Sequence, residues 1–193
     1  MTIAGVLLAA GASRRFGGEK LLAPLGGSWV GIHAARVLRP AVDRAVAVVR
    51  PGDERLADLL ASEGFETLPF TGAARGMGAS LAFGVASSSK ADGWLVALAD
   101  MPFLEAATVA RVAERPRLGI DRIVAPSFGG RRGHPVGFRR DLLPELLALD
   151  GDRGARTLLA EHATEVLLLE CDDEGILLDV DSTRDLDRDR SSE

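Results

Sequence analysis

Short apolar runs alternate with amphipathic stretches through the first two thirds of the chain. Val6 to Ala9 is an unbroken apolar run of strand length. Gly31 to Leu38 follows as a helix, with Ile32, Ala35 and Leu38 at helical spacing. Val42 to Val49 predicts a second strand, closed by Arg50-Pro51-Gly52, and Asp53 can cap a helix running through Leu60. Phe65 to Phe70 reads as a third strand, and Gly78 to Ser88 as a helix with Leu81 and Val85 on one face. Trp94 to Leu98 is a strand ending at Ala99-Asp100-Met101-Pro102, followed by a helix from Glu105 to Glu114 and a strand from Ile120 to Ala125. Such alternation predicts βαβ units and a mostly parallel sheet, because parallel neighbours need a crossover between them.

The last third is less regular. Pro135 to Phe138 reads as a short strand, Arg140 to Leu149 and Ala155 to His162 as helices split by Gly151-Asp152-Arg153-Gly154. Val166 to Leu169 and Ile176 to Leu178 read as strands, and Ser182 to Asp187 as a last helical turn. The expected organisation is one domain over 1–187 with a polar, frayed tail over 188–193, since 193 residues suit one domain and no repeat or linker divides them.

Composition narrows the function. Hydrophobic residues make up 47% and charged residues 26%, the balance of an ordinary globular domain that can bury its own core. Cys171 is the only cysteine, so no disulfide framework can form within the chain, and a reducing cytoplasm is the expected setting. A net charge of −5 disfavours broad binding to nucleic acid or membrane surfaces. No run reaches the roughly 20 apolar residues of a membrane span, and no basic segment precedes Ile3, so neither a span nor a signal peptide is expected. The bases are nearly all arginine, which has the look of codon bias. Lys20 and Lys90 are the only lysines, and Lys20 therefore stands out.

Lys20 lies in Ala9-Ala10-Gly11-Ala12-Ser13-Arg14-Arg15-Phe16-Gly17-Gly18-Glu19-Lys20, directly after the first strand. In a parallel sheet that loop falls at the carboxyl edge, where ligands bind. Glycines there let backbone N–H groups approach an anion, and Arg15 and Lys20, on a surface loop, would add charge for a triphosphate. A Gly-rich turn with surface charges explains the same residues. The spacing is neither the dinucleotide pattern G-x-G-x-x-G nor a Walker loop, which disfavours a nicotinamide-dependent oxidoreductase. Asp100 ends an apolar strand and so would project into the ligand crevice; Asp181, far along the chain, could supply a second carboxylate for Mg²⁺. From spacing alone a helix cap at Asp100 and a turn at Asp181 are the better explanation.

Support for the ligand roles comes from a resemblance. Leu8-Ala9-Ala10-Gly11-Ala12-Ser13-Arg14-Arg15-Phe16-Gly17, followed by Lys20, resembles the L-A-[AG]-G-x-S-x-R-M-G pattern and lysine of the MobA-like nucleotidyltransferases. Gly76-Met77-Gly78-Ala79-Ser80-Leu81, Leu98-Ala99-Asp100-Met101-Pro102, Gly133-His134-Pro135-Val136, Gly151-Asp152-Arg153-Gly154-Ala155-Arg156 and Asp179-Val180-Asp181-Ser182-Thr183-Arg184-Asp185-Leu186 continue it in order over nearly the whole chain. Phe16 stands where the family usually has Met, and Pro69-Phe70-Thr71-Gly72 lacks the Asn-containing pattern expected before Gly76.

The resemblance implies a Rossmann-like three-layer α/β/α fold and Mg²⁺-dependent nucleotidyl transfer. Within the family the chain is most similar to the molybdenum cofactor cytidylyltransferase branch, because Ala10 replaces the glycine of the guanylyl branch. It implies that Leu8, Ala9, Ala10, Gly11 and Ser80 hold the nucleotide, the backbone of Ala9 to Gly11 taking base and ribose. Arg15 and Lys20 would hold the triphosphate, and Asp100 and Asp181 the Mg²⁺. His134 and Arg156 would bind the acceptor, a molybdopterin-type phosphate, with a molybdenum hydroxylase apo-enzyme as client. The alternatives are GTP or another NTP with a different phosphate acceptor, such as a sugar phosphate, and a non-catalytic carrier of the molybdenum cofactor.

Overall fold

The computed structural model describes residues 1–11 and 16–191. In chain order its strands and α-helices are β1 (Ile3–Leu8), β2 (Pro24–Leu25), β3 (Ser28–Trp29), α1 (Val30–Leu38), β4 (Arg44–Val49), α2 (Glu54–Ser62), β5 (Glu66–Pro69), α3 (Met77–Ser87), β6 (Gly93–Leu98), α4 (Ala106–Leu118), β7 (Ile123–Phe128), β8 (Arg131–Arg132), β9 (Val136–Arg139), α5 (Leu143–Leu147), α6 (Arg156–Glu161) and β10 (Val166–Glu170).

The main sheet runs β10-β7-β9-β6-β1-β4-β5, with β8 paired to β7. β1 lies parallel to both β4 and β6, β4 to β5 and β10 to β7. β9 is inserted antiparallel between β6 and β7, and β8 pairs antiparallel with β7. The fold is therefore the expected mostly parallel, Rossmann-like three-layer sandwich.

The central strands are apolar on both faces because helices cover both. Ile3 and Leu7 of β1, with Ala45, Ala47 and Val49 of β4, pack under α1, α2 and α4. Ala4 and Val6, with Val46 and Val48, pack under α3, α5 and α6. The period-2 alternation of strand side chains thus divides one apolar run between two cores. Glycine is required where a helix comes closest: a Cβ on Gly84 of α3 would stand 2.6 Å from Val6 and 3.0 Å from Val48.

Several expectations change. Residues 174–177 form a 3-10 turn rather than a strand over Ile176–Leu178. Their backbone is engaged by loops instead of a neighbouring strand: the His134 N–H donates to the Ile176 carbonyl (3.0 Å), and Gly175 lies hard against the Phe103 carbonyl. The helix expected over Arg140–Leu149 divides into a 3-10 turn, Arg140–Leu142, and the short α5, with Pro144 in its first turn. Asp53 makes no side-chain cap on α2; its carboxylate accepts from Arg50 at 3.0 Å. The helical turn expected at Ser182–Asp187 lies in a 3-10 helix, Thr183–Ser191.

Candidate active site

The carboxyl ends of β1, β4 and β6 form one edge. The Ala99 N–H donates to Leu8 O (3.1 Å) and the Ala9 N–H to Val48 O (2.9 Å), so pairing continues just beyond the strands. Ala9 is consequently a core residue whose amide N–H is spent on the sheet.

Lys20 is corrected in place. It opens a 3-10 turn, Lys20–Leu22, and is 8% exposed rather than free on a surface loop. Its ammonium donates to Asp100 Oδ2 at 2.7 Å and lies 3.6 Å from Asp181 Oδ1. The two carboxylates expected to meet do meet, with the Lys20 charge between them. Asp100 does not cap α4, whose leading amide at Glu105 goes to Asp173 (3.0 Å). Asp181 arrives on a strap tied across the edge by the Val180 N–H to the Asp100 carbonyl (2.8 Å), and its own N–H donates to Asp185 (3.1 Å). Nearby Asp179 has its pKa raised, first by burial and then by the charges of Asp181 and Asp100. Arg15 lies outside the described residues.

Two clefts open on this edge. The first, about 470 Å³, is lined by Leu8, Ala10, Gly11, Lys20, Ser80 and Asp100, six of the residues expected at the nucleotide or metal. Ser80 Oγ donates back to the Gly76 carbonyl (3.2 Å). The second, about 320 Å³, is lined by His134 and Arg156, with Arg131, Arg132, Arg153 and Asp179. Met77 and Leu98 line both clefts and form the wall they share.

The glycines of two motifs prove to be packing devices at this wall. Gly76, at φ +111°, and Gly78 face the 150–152 loop so closely that a Cβ on Gly78 would stand 2.6 Å from the Asp150 carbonyl. The Gly78 N–H donates to Gly151 O (2.8 Å), which ties the start of α3 to the loop carrying Asp152 and Arg153. His134 has its Nδ1 enclosed and without a hydrogen-bond partner among the described residues. Burial pushes its pKa down to about 4, with Arg132 and Arg156 adding to the effect of burial and Asp100 and the Val96 backbone opposing it. The imidazole is therefore neutral near pH 7.

Comparison with known proteins fits this geometry. Residues 5–166 match the MobA-like NTP transferase domain. The chain belongs to that family. Among relatives, it is 33% identical to the purine catabolism protein PucB of Bacillus subtilis over 95% of this chain and 93% of that one. It is 32% identical to the nicotine blue oxidoreductase of Paenarthrobacter nicotinovorans over 96% and 95%. A probable molybdenum cofactor guanylyltransferase of Opitutus terrae is 30% identical over 66% of this chain and 62% of its own length. Of solved structures, Rv0371c from Mycobacterium tuberculosis in complex with manganese superposes with a TM-score of 0.80 at 27% identity, both chains covered in full.

Within this nucleotidyltransferase-family fold the structure adds residues that the sequence did not single out. Arg50 lines the first cleft and is held by Asp53. Arg131 and Arg132 enter the second cleft from β8. The available signal was position: Arg50 follows a strand end, and Arg131-Arg132 sits between Gly129-Gly130 and Gly133-His134.

Proposed function

We propose that this protein moves a nucleoside monophosphate from an NTP, CTP by preference, to the terminal phosphate of a molybdopterin-type acceptor. The observation that carries the reading is the pair of clefts meeting at Leu98 and Met77, with the Lys20–Asp100–Asp181 cluster at the same sheet edge. The first cleft takes the NTP, with Ala10 and Gly11 beside base and ribose and Lys20 turned to the phosphates. The second takes the acceptor, held by His134 and Arg156. An acceptor phosphate oxygen attacks the α-phosphorus; the bond to the β-phosphate oxygen breaks, and pyrophosphate leaves with the electron pair. The attacking oxygen is already anionic, so no general base is needed, consistent with a neutral His134. Catalysis here is positioning and charge neutralisation.

The donors suit a hard divalent cation. Asp100 and Asp181 face one ammonium, and nearby Asp179 has a raised pKa, first from burial and then from the charges of Asp181 and Asp100. Among the described residues no three His, Cys, Asp or Glu form a ready cage, which agrees with Mg²⁺ binding through one or two carboxylates plus substrate phosphates. Asp100 and Asp181 would hold it, and the chemistry it would supply is positive charge on the transferring phosphoryl group. The methyl of Ala10 favours CTP over GTP by keeping the base from approaching as closely as at glycine. A molybdenum hydroxylase apo-enzyme is the client this product implies, with the cytoplasm as its setting.

Pyrophosphate release from each of the four NTPs in Mg²⁺, with and without molybdopterin, tests the reading. CTP with molybdopterin is expected to give the highest turnover. GTP turning over equally well at saturating acceptor overturns the base assignment, and no release with any NTP overturns transfer. The relative named as an oxidoreductase raises a second reading. NADH binding by the purified protein would favour it, against the spacing after Gly11.

A further inference from the structure

Most of the described arginines are engaged within the protein; Arg184 and four others are not. Arg36, Arg44, Arg75, Arg115, Arg117 and Arg122 each hold a carboxylate within 3.0 Å. Arg39, Arg111 and Arg140 donate to backbone carbonyls, and Arg55 lies over the Trp29 ring. Arg131, Arg132, Arg153 and Arg156 do none of this: among the described residues no side-chain hydrogen bond or ion pair engages their guanidinium groups. Arg131, Arg132, Arg153 and Arg156 line one cleft, and among its described lining residues Asp179 is the only acidic one. A cleft carrying four positive charges against one negative, in a chain of net charge −5, is a local reversal of sign. Unmatched arginines gathered in a concave site have their partner in the ligand, since the guanidinium fork binds phosphate and carboxylate two oxygens at a time.

The four come from two places. Arg131 and Arg132 stand on β8, beyond the turn at Gly129 and Gly130; Arg153 and Arg156 stand at the loop and first turn of α6. The same cleft has an apolar lining of Val136, Phe138, Leu159, Ile176 and Leu177. The enclosed Nδ1 of His134, without a partner, opens on the same cleft and can exchange a hydrogen bond with an uncharged polar group.

We propose that Arg131 and Arg132 form a second anion subsite, separate from the one that holds the reacting phosphate. The acceptor is then a phosphate ester carrying another anionic group across an apolar, ring-sized body. Arg153 and Arg156 hold the phosphate, and Arg131 and Arg132 select the second anion. This rests on the second cleft being the acceptor site, as proposed above, and extends it to the class of acceptor.

The test separates the two. The probes are phenyl phosphate and 4-carboxyphenyl phosphate, which differ only in the second anion. Each is titrated calorimetrically into protein saturated with CTP. Wild-type protein is expected to bind the dianionic-ended probe at least about tenfold more tightly, the scale of one good charge-assisted contact. Arg131→Gln/Arg132→Gln should erase that preference and leave phenyl phosphate affinity unchanged, whereas the charge-matched Arg36→Gln/Arg44→Gln should keep it. Equal binding of the two probes by wild type, binding of neither, or a preference surviving in the β8 variant overturns the subsite. Failure of nucleotidyl transfer itself would appear instead as no pyrophosphate release from the wild type, a separate readout. With a turnover-competent acceptor, the β8 variant is expected to raise the acceptor KM about tenfold or more at unchanged kcat.

Discussion

At Lys20 one ammonium serves two carboxylates. Its side chain is 10% exposed and that of Asp100 27%, so the pair is partly shielded from solvent, and removing Lys20 takes away the cation that faces Asp100 and Asp181. Lys20→Ala is therefore expected to weaken NTP affinity in calorimetry and to lower stability by roughly 1–3 kcal/mol in urea unfolding. A loop lysine at the surface would show the first effect alone. Asp100→Asn and Asp181→Asn are each expected to cut pyrophosphate release by at least about a hundredfold, the scale lost with a main electrostatic stabiliser. Asp179→Asn should cost less, since Asp179 faces the second cleft while Asp181 reaches Lys20. Folded Asp100→Asn protein with wild-type turnover would remove the metal from this place. These three residues were legible in the sequence because each stands in a motif. The burial of Lys20 was not, because burial depends on how Leu21 and the following turn seat against α1, which no local pattern records.

Glycines set the fit between helices and what lies beneath them. Gly84→Ala puts a methyl against Val6 and Val48, and urea unfolding should show a loss of about 1–3 kcal/mol, the cost of overpacking a close contact. Gly78→Ala pushes against the Asp150 backbone, which cannot rotate away as a side chain can. It is expected to lower stability and also to weaken both NTP and acceptor binding, because the 150–154 loop supplies residues to both clefts. The strands and helices of the first two thirds were legible for a simple reason: strands buried on both faces must be apolar, and β1, β6 and all of β4 after Arg44 are. The antiparallel β9 was legible as a strand but not in direction, since Val136 to Phe138 reads the same either way. The 174–177 turn looked like a strand because Ile176, Leu177 and Leu178 are apolar, yet their burial comes from covering the sheet edge.

Two histidines give the molecule opposing responses to pH. His162 has a raised pKa because Glu165 and Glu145 accept its two ring nitrogens at 2.7 and 2.6 Å, an arrangement that ties α6 to α5. Its contribution is fully present below the ordinary value of 6.5 and is lost as pH rises through the folded value. His134, lowered to about 4, works the other way: the unfolded chain takes the proton first, so stability falls as pH drops from 6.5 toward 4. Melting temperatures from pH 4 to 9 should show His162→Gln losing its deficit relative to wild type toward alkaline pH. His134→Gln should flatten the acid limb. A His162→Gln deficit that grows with pH would contradict the assignment.

The charges at the centre of the clefts come from positions 20, 100 and 181, and they meet only after the strap has crossed the completed sheet edge. During synthesis the site is thus among the last things to exist. A ribosome-bound chain that has emerged as far as Asp100, just past β6, owns Lys20 and Asp100 but waits about eighty residues for the third partner. Nucleotide held there stabilises only the finished protein, by an amount set by its concentration over its Kd. A chain clipped between β10 and Val180 should keep its sheet and lose this protection, so the nucleotide serves as a gauge of whether the last segment has docked.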